Sequence, residues 1–154
     1  MEGKTVHETA ITMTQIMYPQ DTNPSGNVQG GVILRLMDIA ASSVAVRHAR
    51  TNVVTASIDR VDFHSPAFPG DMATFKASLN YVGRSSMEVG VRVDTESLLT
   101  GFTRHTASAY ITLVALDKER KPVAVPPLIL ETEEDKRRNR EAHKRRELRQ
   151  VERK

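Results

Sequence analysis

Several stretches of the chain alternate apolar and polar residues with period two. Ala73, Phe75, Ala77, Leu79 and Tyr81 point one way, with Thr74, Lys76, Ser78 and Asn80 opposite. Met87, Val89, Val91 and Val93 repeat the pattern against Glu88, Gly90, Arg92 and Asp94. Val54, Ala56 and Ile58 predict a third strand, although Val53, Val61 and Phe63 make its other face partly apolar. The run from Ala107 to Leu116 is nearly all apolar or small and rich in β-formers, which predicts a strand covered on both faces. Ile11, Met13 and Met17 suggest an earlier strand over Thr9 to Met17. One segment has a different period. Val28, Val32, Leu36, Ala40, Val44 and His48 form an i+4 row beside Ile33, Met37, Ala41 and Ala45, which predicts a long helix with a wide apolar stripe. Asn27 is a suitable N-cap for it, which puts Gly30 and Gly31 near the end of its first turn. Turn residues at Ser65-Pro66, Pro69-Gly70-Asp71, Gly83 to Ser86, Thr100-Gly101 and Asp117 to Pro122 separate the runs. The reading is one early helix packed on a sheet of strands joined by short turns, an α+β arrangement.

Charge divides the chain in two. It has 154 residues with a formal net charge of +3. Residues 136–154 hold 10 Lys+Arg against 3 Asp+Glu, and the preceding residues hold 12 against 16. The excess positive charge therefore belongs to a terminal tail, and the mildly acidic body gives no reason to expect nucleic acid. Within the tail only Ala142, Leu148 and Val151 are apolar, too few to build a buried face. Glu133/Arg137, Glu134/Arg138 and Glu141/Arg145 at i,i+4 spacing support a solvated helix, each by ~0.2–0.5 kcal/mol. The competing reading is a phosphate- or partner-binding arm. There is no cysteine, so a disulfide framework, a thiolate metal site and a cysteine nucleophile are all excluded. The first twenty residues lack the apolar core of a signal peptide, and Thr106 to Leu116 is shorter than the ~20 residues of a membrane helix. A soluble cytoplasmic protein without membrane association is expected.

The sequence lacks a G-x-S-x-G elbow, a GxGxxG loop and an H-E-x-x-H helix, and Val32-Ile33 stands where a P-loop needs Lys-Ser/Thr. The five histidines lie far apart, so no histidine metal site is expected. Two features remain. In Asp21-Thr22-Asn23-Pro24-Ser25-Gly26-Asn27-Val28-Gln29-Gly30-Gly31, Pro24 holds Asn23 extended just ahead of the helix. The paired glycines cost roughly 1 kcal/mol each in helix propensity, which either close helix–sheet packing or a ligand near the helix start would explain. Asp38 is a carboxylate within Val32 to Val46, either on a wet face or in a site flanked by small residues. From Gly30 or Gly31 to Asp38 the helix rises ~11 Å, so one protomer cannot readily aim both at one small group. Two antiparallel copies across a twofold axis can.

These residues resemble the hotdog-fold acyl-CoA thioesterases (acyl-CoA hydrolases). The resemblance runs from about Met13 to Leu128. It rests on Thr22 to Gly31, Met37-Asp38, Val53 to Ser57 through Val61-Asp62-Phe63, Tyr81 to Val89, and Lys121 to Pro127. It implies a hotdog fold over residues 1–130, one long helix wrapped by a curved antiparallel sheet, with residues 131–154 as a charged tail, helical or disordered. It also implies dimers with shared sites that assemble further into trimers of dimers. Asp38 would be the general base for water, or less favourably a nucleophile on the thioester carbon. Asn23 of the partner protomer would orient water or the carbonyl, and backbone N–H groups at Gly30 and Gly31 would bind the oxyanion. Gly83, Arg84, Ser85 and Ser86 would contact the coenzyme A moiety of the substrate. No metal or redox cofactor is implied. A hotdog dehydratase is disfavoured, because no histidine lies between His7 and His48. A non-catalytic acyl-CoA sensor or partner-binding hotdog protein is the alternative from another class.

Overall fold

The structure, a computed structural model, describes residues 1–153; Lys154, the last residue of the charged tail, lies outside the described residues. The chain opens with strand β1 (Lys4–Thr5), a single helical turn α1 (Val6–Thr9), strand β2 (Ile11–Ile16) and a 3-10 turn over Pro19–Asp21. The long helix α2 (Gly30–Ala49) follows, then β3 (Asn52–Phe63), β4 (Asp71–Val82), β5 (Ser86–Ser97) and β6 (Thr103–Leu116). A short strand β7 (Leu128–Ile129) pairs with β1, and a second long helix, α3 (Glu133–Glu152), ends the described chain.

Five strands form one antiparallel sheet in the order β2-β4-β5-β6-β3. The alternation in β4 and β5 sets their register, so Phe75 faces Val93, Ala77 faces Val91 and Leu79 faces Val89. These residues, with Ala107, Ala109, Ile111, Leu113 and Ala115 of β6, make the sheet's buried inner face. Helix α2 lies on that face through Ile33, Leu36, Met37, Ala40, Ala41, Val44 and Ala45, the two rows read from the periodicity. The alanines bring helix and sheet close together, as dense interiors require. This is the expected α+β hotdog arrangement.

Two local expectations are corrected. Strand β3 does not pair with β4 through a short turn; it occupies the far edge beside β6. Its link to β4 is extended by Pro66 and Pro69. His64 N–H donates to Thr106 O and Val28 N–H to Ala67 O, so the link crosses the end of the sheet and does not fold back as a hairpin. The helix also begins later than expected, with Gln29 as the residue before its first turn. Asn27 is already used by the preceding loop. Its N–H donates to Asn23 Oδ1 (3.2 Å) and its carbonyl accepts from Asn23 N–H (2.8 Å). At the other end Lys4 Nζ donates to the carbonyls of Arg47 and His48, the favoured cation position at a helix C-terminus.

The charged tail has a face that its composition did not predict. Helix α3, opened by a reciprocal Thr132/Asp135 capping box, runs across the outer side of the sheet and buries Ala142. Glu88 of β5, on the polar side of the alternation, is only 1% exposed beneath it. Arg145 Nε and Nη2 donate to its two oxygens at 2.9 and 2.8 Å, and Asn80 Nδ2 adds a third bond at 3.0 Å. Burial works against charge on Arg145, but the Glu88 hydrogen bonds and negative charge outweigh it and raise the guanidinium pKa. Arg149 pairs with Asp59, and the Arg145 guanidinium stacks 3.6 Å from the centre of the Tyr110 ring. Gly90 makes room for this network, because a Cβ there would sit 2.8 Å from Asn80 Nδ2.

Candidate active site

Asn23 stands in a loop pinned by its own side chain. Its Oδ1 accepts from the N–H groups of Ser25 (3.0 Å) and Asn27 (3.2 Å). With the oxygen engaged, the amide NH₂ is the group left to face outward, so Asn23 is equipped as a donor. The loop feeds directly into α2. Gly30 and Gly31 are its first two residues, where backbone N–H groups have no partner within a helix, and neither N–H is bonded elsewhere. The two glycines have different reasons to be small. A Cβ on Gly30 would lie 3.2 Å from Phe63 Cζ, whereas one on Gly31 would meet nothing within 4 Å. Packing within the chain therefore accounts for Gly30 and not for Gly31. Asn23, Asn27 and Gly30 share a cavity of about 310 Å³ with Phe63, His64 and Thr106. It holds the Asn23 amide and the Gly30 N–H at the positive end of a helix dipole, with the Gly31 N–H next along the helix, a setting suited to a developing negative charge.

Asp38 lies elsewhere. It sits half-buried two turns along α2, and its Oδ1 accepts a 2.6 Å hydrogen bond from Thr55 Oγ1 on β3. Thr55 pairs with Leu113 near the start of β3, while Phe63, beside Gly30, pairs with Ala107 at its end. Within one chain, then, the donor cluster and the carboxylate occupy opposite ends of the same edge strand. Gly83, Arg84, Ser85 and Ser86 form the β4–β5 hairpin tip, closed by Gly83 N–H to Ser86 O (2.8 Å). Val125 N–H donates to Arg84 O and Ala115 N–H to Ser85 O, so the tip is braced while the Arg84 side chain stays exposed. Its register places it at the Asp38/Thr55 end, since Ser86 faces Val114 and Val114 faces Val54. Thr55, Phe63 and His64 were given no role from the sequence. A hydroxyl in a strand, or an imidazole just past its end, looks like surface until the helix carboxylate or the cavity wall is placed next to it. Among the described residues no group of His, Cys, Asp or Glu is arranged to hold a metal ion, and no helix is long and apolar enough to cross a membrane.

The helix laid on an antiparallel sheet, with a glycine-marked start beside an asparagine loop, defines a hotdog thioesterase domain. Residues 25–101 match the family described as the thioesterase superfamily, and the chain belongs to it. Its relatives are more particular. A hexameric acyl-CoA thioesterase of known structure is 39% identical, with a TM-score of 0.94 over 99% of this chain and 97% of that one. The acyl-CoA hydrolase of Staphylococcus aureus, solved with butyryl coenzyme A and coenzyme A, is 36% identical with a TM-score of 0.89, covering 97% of this chain and 92% of its own. That enzyme has also been solved with an aspartate, an asparagine and a threonine individually replaced by alanine, at the same separations along the chain as Asp38, Asn23 and Thr55 here. The cytosolic acyl coenzyme A thioester hydrolase of Rattus norvegicus is 37% identical over 89% of this chain, which spans 36% of its length.

Proposed function

We infer that the protein hydrolyses acyl-CoA thioesters to free acid and coenzyme A at sites shared between two protomers. The observation that carries this reading is the division of the chemistry along β3, with unbonded donors at one end and a hydrogen-bonded carboxylate at the other. The edge of β3 away from β6 is unpaired, and Ile58, Phe63, Ile39 and Val46 leave apolar surface exposed along that strand and the outer side of α2. Antiparallel pairing of two β3 edges about a twofold axis brings the Thr55 end of one copy against the Phe63 end of the other. Asn23 of one protomer then meets Asp38 of its partner, and each dimer has two such sites. A relative is hexameric, and three of these dimers make the proposed full assembly here.

In the site Asp38 takes a proton from water as the water oxygen adds to the thioester carbon. Thr55 holds the carboxylate toward the attack position. The carbonyl oxygen becomes an oxyanion bound by the N–H groups of Gly30 and Gly31 and by the Asn23 amide. Collapse of the tetrahedral intermediate breaks the C–S bond, and the proton held by Asp38 passes to the departing sulfur. Arg84 and the Ser85 and Ser86 hydroxyls bind phosphate oxygens of coenzyme A. Thiol release measured with acyl-CoA tests the chemistry: Asp38→Ala is expected to lower turnover by about 10²–10⁴-fold. Equal thiol release by wild type and variant overturns the assignment, and binding without thiol release by wild type favours a sensor. Co-expressing Asn23→Ala and Asp38→Ala chains tests the sharing. Random pairing should restore about a quarter of wild-type activity, because half the dimers carry one intact site. No recovery in verified mixed dimers places the pair within one chain.

A further inference from the structure

A second cavity, of about 430 Å³, lies on the opposite side of the sheet, between its outer face and α3. Its floor is a row of residues across four strands: Thr12 pairs with Lys76, Lys76 with Arg92, and Arg92 with Ser108. Two cations thus stand directly opposite each other on neighbouring strands, an arrangement that destabilises a sheet on its own. The roof adds Arg137, Arg138 and Arg145, and among the described residues the only carboxylate in the wall is Glu141. Among the described residues Lys76 has no carboxylate partner. The carboxylates that do approach the others are Asp94 on Arg92 (3.2 Å), Glu134 and Glu141 on Arg137, and Glu134 on Arg138 (3.0 Å). All of these involve well-exposed cations, and pairs of that kind are weak enough to exchange for a better anion. Arg145 is different, since the buried Glu88 fixes it in place.

We propose that this cavity binds an oligophosphate anion, seated on Lys76 and Arg92 between the hydroxyls of Thr12 and Ser108 and closed over by Arg137 and Arg138. The like-charge pair, unfavourable when empty, becomes the binding element once a dianionic group bridges it. The cavity, open on one side, has room for a diphosphate between its cations.

Calorimetric titration of the full chain with inorganic pyrophosphate at low ionic strength tests this. Wild type is expected to bind one pyrophosphate per chain, and Lys76→Ala/Arg92→Ala should weaken binding by about tenfold or more. Arg140→Ala/Lys144→Ala removes two exposed cations of α3 outside the cavity and should change affinity less than about twofold. No binding by wild type, or equal weakening in both double variants, overturns the proposal. Without pyrophosphate the Lys76→Ala/Arg92→Ala chain should keep the circular dichroism of wild type, so that weakened binding reports the cavity and not the fold. Saturating coenzyme A, whose phosphates are assigned above to Arg84, Ser85 and Ser86, distinguishes the two phosphate sites. Undiminished pyrophosphate binding supports a separate oligophosphate site, and displacement overturns it.

Discussion

Helices α2 and α3 have the same length, 20 residues, and cover opposite faces of one sheet, yet different physics attaches them. Helix α2 buries seven apolar side chains and His48 against the inner face. Its attachment is non-directional, follows the apolar area removed from water and is written in a local repeat. Helix α3 buries Ala142 alone and is held by Arg145 on Glu88, Arg149 on Asp59 and Asn139 on the carbonyl of Asn80. That attachment is directional and depends on particular partners 57 to 90 residues away. The two faces should therefore fail differently: removing atoms from the first leaves a hole, whereas removing a partner from the second leaves a charge.

The largest effect is expected in the apolar layer. Met37 is fully buried, so Met37→Ala should cost ~2–5 kcal/mol in denaturant unfolding. On the other face Glu88→Ala strands the Arg145 guanidinium under α3 and should cost ~3 kcal/mol. The paired replacement Glu88→Leu/Arg145→Met should recover most of that loss. A double variant as unstable as Glu88→Ala would show that α3 needs the ion pair itself and not only a filled interface. Thr132→Ala, which removes the first-turn cap of α3, is smaller, at about 1 kcal/mol. It should raise hydrogen exchange in α3 and leave α2 amides unchanged.

A pH effect separates the faces further. His48, at the buried end of α2, has its pKa lowered from 6.5, first by burial, against a raising hydrogen bond to Pro126 O at 2.6 Å. A carbonyl can only accept, so Nε2 carries the proton and Nδ1 is bare, buried and unpartnered. Protonation is easier in the unfolded chain. This contribution is therefore complete above pH 6.5 and is lost as pH falls from there toward the lowered folded value. Urea midpoints at pH 7 and pH 5 should show a smaller drop for His48→Gln than for wild type.

The active-site readings divide in the same way. Asn23, the glycine pair and Asp38 stand out in the sequence as candidates because each violates a local rule: an extended residue before proline, glycines in a helix, a carboxylate in an apolar segment. Thr55 does not stand out, because its hydrogen bond to Asp38 is a non-local contact and β3 looks locally like any half-exposed strand. The helix start was misjudged for a similar reason. Asn27 has the chemistry of a cap, but the Asn23 loop closes on it first.

What the amino-acid order determined by itself is the long helix, the main strands and which side of α2, β4 and β5 faces the core, since burial of one face is encoded every second or every fourth residue. The tertiary structure alone decided which strands became neighbours, sending β3 to the open edge, and what covered the polar side of β5. Pairing partners and ion-pair partners are non-local, and no periodicity within a segment records the identity of a residue half a chain away. Glu88 shows the difference: its place on the outer face was readable, and its burial under Arg145 was not.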